Sequence, residues 1–325
     1  MFKCQEGVYA GIDCGTAGVR FLVCRLASDG TIERLYADSV HHNIGHDLNT
    51  FGYIREATAL HVAQTIKAFT LKAQSIGAKG IRAVGTASFR CASNGQQVLE
   101  QISKKALPVD LLTGLQELEL SLMGVRPYIP DVRENFYFAD SGGGSTEIAL
   151  VSGQSGDIIA GKSLNFGVSL LAQQLAEVSD KPNEAQLLEF TDDLSQTFRH
   201  TMAEWGEFSD MSRTGATKLV MAGAPLYLKR FQLKHDTSRR DEYIGATITL
   251  DDILTIAVDL AGLGHEGRKK SDFLDDSGVY FMLPAAIKGA ALLQATGLKE
   301  IVIASSGICA GLALQQARQQ AQQQA

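Results

Sequence analysis

The sequence predicts an α/β protein made of two similar domains, each opening with an antiparallel meander of strands. The chain is 325 residues long, which allows two domains of ordinary size with apolar cores of their own. A pattern of strand, turn, strand, turn, strand occurs twice, about half a chain apart. In both copies the first turn begins with the triplet D-x-G, at Asp13 and at Asp140. Such self-similarity indicates an internal duplication.

The first meander has the strands "VYAGID", "VRFLVCRL" and "IERLYADSV", which are rich in apolar and β-branched residues. The turns between these strands are "CGTAG" and "SDG". The second meander has the strands "FYFAD", "TEIALVS" and "DIIAGKSLNF", with the turns "SGGGS" and "GQSG". Both meanders therefore follow the same plan, with a glycine-containing first turn.

Helices and further strands alternate after each meander, as they do in α/β domains. Apolar residues at helical spacing predict helices over 56–77, 96–106, 111–125, 183–205, 250–263, 285–297 and 308–325. Short apolar runs predict strands within 81–88, 217–225 and 300–307. The Gln- and Ala-rich end of the last helix offers little apolar surface, so we expect it to fray.

Composition and charge indicate a soluble protein of the cytoplasm. The formal net charge of -6 argues against a general nucleic-acid binder, although a local basic groove for a polyanion stays compatible with it. The most apolar run, "FMLPAAIKGAALL", is too short to cross a membrane and contains Pro284 and Lys288. The first residues lack a secretory apolar segment, and the 5 cysteines form no CxxC pair.

The stretch "FADSGGGSTEIALV" suggests a site for a phosphate chain. Glycine has no Cβ, so a run of glycines lets backbone N–H groups approach a bound anion closely. Two such turns facing each other across a cleft would hold a phosphate chain from both sides. The carboxylates of Asp13, Asp140 and Glu147 would repel phosphate unless a hard cation such as Mg²⁺ lay between them. The alternative is a tight hairpin whose glycines serve only the geometry of the turn.

The paired D-x-G hairpins resemble those of the actin-like (ribonuclease H-like) fold of sugar kinases, heat-shock-protein ATPases and actin. More narrowly, the sequence resembles the exopolyphosphatase / guanosine pentaphosphate phosphohydrolase (Ppx/GppA) family. The family pattern D-[IL]-G-G-G-S-T-E is matched by "DSGGGSTE", in which only Ser141 departs. The pattern G-T-x-x-x-R-x-A-x-N is matched by "GTASFRCASN".

Other family motifs are only partly kept. The helix motif S-G-x-E-E-A-R corresponds to "TGLQELE", which keeps Glu117 but has Gln116 and Glu119 in place of a Glu and an Arg. The first loop, "DCGTAGVR", lacks the central Asn of the family. Near the end of the chain, "GICAG" has Cys309 and Ala310 where the family has Arg and Glu. The chain is therefore similar to a divergent member of the short, two-domain form.

The resemblance implies two actin-like α/β domains with a cleft between them. The first actin-like domain is expected to span 1–128, joined by the C-terminal helix from about 309–325. The second is expected to span 129–308. The resemblance also implies release of terminal phosphate from inorganic polyphosphate or guanosine pentaphosphate. Glu117 is then the base that activates water. Arg90 and Glu147 complete the implied catalytic set.

The resemblance further implies binding roles for a larger set of residues. Those implied to bind phosphate are Gly15, Thr16, Arg20, Gly142, Gly143, Gly144, Ser145 and Thr146. Those implied to hold a metal ion, Mg²⁺ or Mn²⁺, are Asp13, Asp140 and Glu147.

Two further clusters carry weaker signals. His41, His42 and His46 lie close together in "HHNIGH", a spacing compatible with metal ligation or with ordinary histidines. The run "LKRFQLKHDTSRRDEY" is either a solvated charged face or a lane for a long polyanion. Its basic residues are Lys229, Arg230, Lys234, Arg239 and Arg240.

Three functions therefore stay open. The first is a Mg²⁺-dependent phosphohydrolase acting on polyphosphate or guanosine pentaphosphate, with neither nucleic acid nor membrane as a partner. The second is a sensor that binds polyphosphate or an alarmone without turnover, suggested by the altered motifs. The third is an actin-fold kinase, for which "MAGAP" is a poor nucleotide-base pocket. A homodimer is compatible with all three.

Overall fold

The computed structural model describes residues 4–129, 133–206, 213–235, 242–304 and 307–323. The chain divides into two compact units, each a β-sheet with helices packed on it. The first unit comprises Met1–Pro127, Gly142–Gly144 and Ser306–Ala325, and the second comprises Tyr128–Ser141 and Ser145–Ser305. The α/β class predicted from the sequence is confirmed.

The elements within residues 4–129 are given first, in chain order. The strands are β1 Gly7–Cys14, β2 Gly18–Leu26, β3 Ile32–His41, β4 Gly80–Gly85 and β5 Val109–Leu111. The helices are α1 Ile44–Phe51, α2 Glu56–Ser75, α3 Ala87–Cys91, α4 Gly95–Lys105 and α5 Gly114–Val125. A 3-10 turn, Arg126–Tyr128, follows α5.

The later elements continue the numbering. The strands are β6 Phe136–Ser141, β7 Thr146–Val151, β8 Ile158–Leu164, β9 Leu219–Ala222, β10 Thr247–Thr249 and β11 Glu300–Ala304. The helices are α6 Val168–Val178, α7 Glu184–Ala203, α8 Ala224–Gln232, α9 Leu250–Lys269, α10 Asp276–Thr296 and α11 Ile308–Gln323.

The two sheets share a strand order. Within the described residues, the first sheet runs β3-β2-β1-β4-β5 and the second runs β10-β11-β9-β6-β7-β8. In each sheet an antiparallel meander is extended by two parallel strands, β4 and β5 in one, β9 and β11 in the other. The second sheet adds β10, antiparallel to β11. The repeated pattern in the sequence thus corresponds to a repeated topology.

The first unit buries both faces of its sheet. Alternate residues of β1 point to opposite faces, as strand geometry requires. Ala10 and Ile12 pack with α2 and α4, whereas Tyr9 packs with α11 on the other face. A Cβ on Gly11 would lie 2.2 Å from the carbonyl oxygen of Cys309, so glycine is needed for α11 to lie this close to β1.

The glutamines of α11 anchor it to the sheet. Gln316 Nε2 donates to the carbonyl oxygen of Ala10 over 3.1 Å. Tyr9 Oη donates to Gln320 Oε1 over 2.9 Å. The prediction that this end of the helix frays is therefore wrong over its glutamines up to Gln320, because side-chain hydrogen bonds replace the missing apolar contacts.

The second unit is built around α10. This helix packs against α6, α7, α8 and α9. It begins at Asp276, where Asp275 Oδ1 accepts a hydrogen bond of 2.8 Å from Gly278 N, and it passes through Pro284. The prediction of a helix beginning after Pro284 was wrong, because burial in the core stabilises a helix that proline alone would shorten. This is the one described helix long and apolar enough to cross a membrane, and 83% of its most apolar window is buried, as in a core helix.

Candidate functional site

The first D-x-G turn is a hairpin between β1 and β2. Gly15 N donates to Gly18 O over 2.9 Å, and the strand register places Asp13 opposite Arg20. The Asp13 side chain is buried, and its Oδ2 lies 3.8 Å from Nη1 of the half-exposed Arg20. The turn therefore combines a buried carboxylate with an accessible guanidinium, a pairing able to orient an anion.

Thr16 is the buried centre of this turn. Its carbonyl oxygen accepts a hydrogen bond of 3.1 Å from Gly45 N, at the beginning of α1. A Cβ on Gly144, which groups with the first unit, would lie 2.3 Å from Thr16 Oγ1. A side chain at Gly144 would therefore displace the threonine hydroxyl, so the glycine is required by close packing.

Arg90 and Glu117 form an ion pair in the first unit. Arg90 Nη1 lies 2.7 Å from Glu117 Oε2, and the Glu117 carboxylate is almost fully buried. Arg90 belongs to α3, which directly follows β4, and Glu117 lies in the first turn of α5. Two elements that follow neighbouring parallel strands thus bring together Arg90 and Glu117, two of the three residues predicted to be catalytic, whereas Glu147 lies in the second unit.

One departure from the family motif around Glu117 has a structural explanation. Thr113 is the N-cap of α5, and Gln116 completes the cap: its Oε1 accepts from Thr113 N over 2.9 Å while its own N donates to Thr113 Oγ1 over 3.2 Å. This is a capping box, which stabilises the beginning of α5 and fixes the turn that holds Glu117. Glu119 is exposed, and nothing in the structure explains its presence in place of the arginine.

The second D-x-G turn is a hairpin between β6 and β7. The register places Asp140 directly opposite Glu147 and Ser141 opposite Thr146. Both carboxylates are buried, and Glu147 Oε1 accepts a hydrogen bond of 2.7 Å from Ser163 Oγ of β8. Side chains directly opposite each other in an antiparallel pair lie about 5 Å apart at Cβ. The two carboxylates therefore share one small region of the unit.

Sequence reasoning missed Lys288, which contacts Thr146. Lys288 is fully buried in α10, and its Nζ donates to Thr146 Oγ1 over 2.7 Å. Thr146 Oγ1 in turn donates to the carbonyl oxygen of Phe166 over 2.5 Å. Burial lowers the pKa of Lys288 to about 7, although the negative charges of Glu147 and Asp140 act to raise it. The available signal was a single lysine within a long apolar helix.

The predicted residues thus fall into two groups, one in each unit. The first unit holds Asp13, Gly15, Thr16, Arg20, Arg90 and Glu117, together with Gly142, Gly143 and Gly144. The second unit holds Asp140, Ser145, Thr146 and Glu147. Each group contains buried carboxylates beside a glycine-rich or hydroxyl-bearing turn.

The carboxylates fit an open metal site rather than a closed one. No group of three or more His, Cys, Asp or Glu side chains suited to a metal ion occurs in the described part of the chain. Mg²⁺ is commonly held by one or two carboxylates together with water and substrate phosphates. Asp140 and Glu147 meet that requirement, and beside them the buried Ser141 Oγ has no hydrogen-bond partner. The donor set is compatible with Mg²⁺ bound together with a phosphate ligand.

Within the described residues, His41, His42 and His46 form no group suited to a metal ion, and the basic run is described only in part. His41 Nδ1 lies 3.0 Å from the carbonyl oxygen of Ala17, and burial holds the pKa of His42 down, at about 4. Arg230 is buried, with Nη2 donating to the carbonyl oxygen of Phe273 over 3.3 Å, so it contributes to no solvated face. Arg239 and Arg240 lie outside the described residues.

Comparison with known proteins identifies relatives. Exopolyphosphatase 2 of Mycobacterium tuberculosis is 28% identical over 186 residues, which are 53% of this chain and 56% of the relative. The chain thus spans about half the length of the curated relatives it matches.

Solved structures show the fold. A crystal structure of the Aquifex aeolicus member of the Ppx/GppA family is similar with a TM-score of 0.80 at 18% identity, covering 97% of this chain and 99% of that one. An exopolyphosphatase from Cytophaga hutchinsonii is similar with a TM-score of 0.77 at 18% identity, covering 94% and 96% of the two chains. The fold class predicted from the sequence, two actin-like α/β domains, is confirmed. Since the model of the Ppx/GppA phosphatase family matches residues 23–319, this chain belongs to that family.

Proposed function

We propose that this protein is a Mg²⁺- or Mn²⁺-dependent phosphohydrolase that releases terminal phosphate from inorganic polyphosphate, guanosine pentaphosphate or both. Membership of a phosphatase family supports a hydrolase, and relatives named exopolyphosphatases support a polyphosphate substrate. The observation that carries the proposal is the buried ion pair between Arg90 and Glu117. A buried carboxylate with a fixed orientation is what activation of a water molecule requires.

Glu117 is the proposed general base. Its Oε2 is held by the Arg90 guanidinium over 2.7 Å, which limits rotation of the carboxylate. The carboxylate accepts a proton from water as the water attacks the terminal phosphorus, and the bond to the bridging oxygen breaks. Arg90 then lies beside the charge that develops on the transferred phosphoryl group and stabilises it.

The two glycine-rich turns are the proposed phosphate-binding elements. Backbone N–H groups of Gly15, Thr16 and Gly142–Gly144 are the donors, since glycine lets the backbone come close to phosphate oxygens. Arg20 is a proposed further contact, because its guanidinium is half-exposed beside the first turn. In the second turn Ser145 is proposed to donate through its backbone N–H group. The phosphate-binding role of Thr146 stays a prediction, since its hydroxyl already donates to Phe166 and its backbone pairs with β6 and β8.

A divalent cation is proposed to bind at Asp140 and Glu147. The metal-binding role of Asp13, which belongs to the first unit, stays a prediction. When bound, such an ion would supply positive charge that neutralises phosphate oxygens and stabilises the leaving group. The chain's own contribution is to keep both carboxylates of β6 and β7 side by side, with Glu147 oriented by Ser163.

Both substrates present the same group to such a site. Polyphosphate and guanosine pentaphosphate each end in a phosphate joined through a phosphoanhydride bond. The proposed residues would contact only that terminal phosphate group. The site therefore supports the reaction class, and the two substrates are distinguished by experiment.

The test is phosphate release by the purified protein from long-chain polyphosphate and from guanosine pentaphosphate. Each substrate is supplied with Mg²⁺, with Mn²⁺ and with EDTA. We expect release with at least one substrate in the presence of metal and none in EDTA. Tight binding of either substrate without release under all conditions would contradict the hydrolase and favour the sensor.

A further inference from the structure

Two aromatic side chains of the first unit are exposed to solvent side by side. Phe51, the last residue of α1, is 43% exposed and Tyr53 is 44% exposed, and their ring centres lie 5.8 Å apart. The His46 ring lies edge-on to Phe51 at 6.4 Å. Single exposed apolar residues are ordinary, but adjacent exposed rings indicate a binding surface. The area of two rings suits a small planar ligand, because a standard protein interface involves about 20–30 residues on each partner.

A guanidinium group is fixed beside these rings. Arg55 Nε donates to Oδ1 of the buried Asp47 over 2.6 Å, and Arg55 N donates to Oδ2 of the same carboxylate over 3.0 Å. Arg55 Cζ lies 5.2 Å from the centre of the Phe51 ring, and the arginine side chain is 43% exposed. Among the described residues, neither Nη group of Arg55 has a hydrogen-bond acceptor, so both are available to a ligand.

Hydrogen bonds hold the segment that connects α1 to α2. Asn94 Oδ1 accepts from Ile54 N over 2.9 Å, and Asn94 Nδ2 donates to the carbonyl oxygen of Ile54 over 2.8 Å. Ser93 donates to the carbonyl oxygen of Gly52 from its N over 3.0 Å and from its Oγ over 3.1 Å. Ser93 and Asn94 follow α3, which carries Arg90. The aromatic surface is therefore preorganised next to a segment of the proposed active site, so a ligand would not have to order it.

The other end of α1 packs on the first D-x-G turn. Gly45 N donates to the carbonyl oxygen of Thr16 over 3.1 Å, and a Cβ on Gly45 would lie 2.9 Å from Thr16 Cγ2. Because α1 has 8 residues, it is about 12 Å long. That length is comparable to the reach of a nucleotide from its base to the end of a 5′-phosphate chain. A nucleotide with its terminal phosphate at the turn would therefore be able to place its base near Phe51.

We propose that Phe51, Tyr53 and Arg55 form a subsite for the base of a guanine nucleotide, so that the protein binds guanosine pentaphosphate more tightly than a phosphate chain without a base. The base stacks on the exposed rings, as bases do on aromatic side chains in many nucleic-acid-binding proteins. The two Nη groups of Arg55 donate to O6 and N7 of guanine, the acceptor pair that arginine binds in a bidentate manner. Adenine carries an amino group in place of O6, so it offers only N7.

Four variants separate stacking, base recognition and general effects on the surface. Phe51→Leu and Tyr53→Leu each remove one ring and keep an apolar side chain. Tyr280→Leu is the matched control, because Tyr280 is a tyrosine of the second unit that is 55% exposed. Arg55→Lys keeps the positive charge but cannot present two donors as a fixed pair. Thermal denaturation shows whether each variant stays folded, and the two leucine variants leave the ion pair with Asp47 untouched.

The experiment measures dissociation constants by calorimetry in the presence of Mg²⁺. The ligands are the β,γ-imido analogues of guanosine triphosphate and adenosine triphosphate, together with imidodiphosphate, which has no base. The imido group prevents hydrolysis of the terminal bond. We expect Phe51→Leu and Tyr53→Leu to bind the guanosine analogue about tenfold more weakly than the native protein and to bind imidodiphosphate equally well. The native protein should prefer the guanosine to the adenosine analogue about tenfold, and Arg55→Lys should abolish this preference. Tyr280→Leu should match the native protein for all three ligands.

Two results would overturn the subsite: leucine variants that bind the guanosine analogue as tightly as the native protein does, and a native protein that binds this analogue no more tightly than imidodiphosphate. Equal weakening of nucleotide and imidodiphosphate would also contradict it. The subsite relies on the proposed function only because the terminal phosphate has to lie at the first turn. A lack of phosphate release with selective loss of nucleotide binding in the variants would contradict the proposed function alone. Phosphate release by a protein whose nucleotide binding the variants leave unchanged would contradict the subsite alone.

Discussion

Arg90 Nη1 donates to Glu117 Oε2 over 2.7 Å and to the carbonyl oxygen of Leu112 over 3.0 Å. One guanidinium nitrogen thus connects α3 to the segment just before α5 and to the first turn of α5. The orientation of Glu117 is therefore fixed from two sides, by the capping box at Thr113 and by Arg90.

Glu117→Gln should abolish most of the proposed activity. The amide is nearly isosteric but cannot accept a proton from water, so we expect the rate constant for phosphate release to fall about 10²- to 10⁴-fold. Binding of tripolyphosphate should change little. Glu119→Gln is the control, since Glu119 lies on the same helix and is exposed. Equal activity of Glu117→Gln and the native protein would eliminate Glu117 as the base.

Arg90→Ala should destabilise the first unit. It leaves the buried Glu117 carboxylate without its guanidinium partner, for which we expect a loss of about 2 kcal/mol in the free energy of unfolding. Chemical denaturation checks this value. In a Glu117→Gln background the same Arg90→Ala change should lower the free energy of unfolding by less, because no buried carboxylate is then left without its guanidinium partner. Equal costs in both backgrounds would show that the pair is not coupled.

Gly11→Ala should separate α11 from the first sheet. The added Cβ would lie 2.2 Å from the carbonyl oxygen of Cys309. Because this oxygen belongs to the backbone, it cannot rotate away as the end of a flexible side chain could. We expect a fall in thermal stability corresponding to about 2 kcal/mol or more. Gly262→Ala is the control, because no atom lies within 4 Å of its added Cβ and alanine favours a helix. An unchanged melting temperature in Gly11→Ala would contradict the close approach.

Lys288→Met should change how stability depends on pH. The pKa of Lys288 is about 7 in the folded protein, against 10.5 when exposed. Between these values the unfolded chain binds the additional proton, so the contribution of Lys288 to stability rises with pH. The variant has no such contribution. Its stability advantage over the native protein should therefore be largest at about pH 6 and shrink towards about pH 10, by about 1.4 kcal/mol per pH unit between the two pKa values. Parallel pH profiles of the two proteins would contradict this.

Much of the fold could be predicted from local pattern. The meander strands show either alternating apolar and polar residues or continuous apolar runs, and glycine-containing turns separate them. The structure places these strands within a residue or two of the expected bounds. The predicted end of α9 at 263 coincides with Gly264, whose φ of 64° interrupts the helix. The Asp140 and Glu147 pairing follows from a tight hairpin, because a short turn fixes the register of its strands.

Other features depend on contacts distant in sequence and could not be predicted. The helix α1 overlaps the histidine cluster "HHNIGH". The polar residues of this stretch give no clear apolar pattern from which the buried face of the helix could be predicted. The continuation of α10 through Pro284 depends on the surrounding helices. Lys288 donates a hydrogen bond to Thr146, which lies 142 residues earlier in the sequence, so only folding brings the two together. The same holds for the glutamines of α11, whose acceptors and donors lie on β1.

The placement of α11 on β1 has a consequence for the order in which the protein acquires its structure during synthesis. The apolar face formed by Tyr9, Leu22 and Leu26 is covered by α11, which is synthesised only after the strands of the second sheet. The sheet of the second unit is complete once residue 304 has emerged. The first unit is therefore completed only after the sheet of the second unit has been made, and its uncovered face is the surface that a chaperone would have to shield in the meantime.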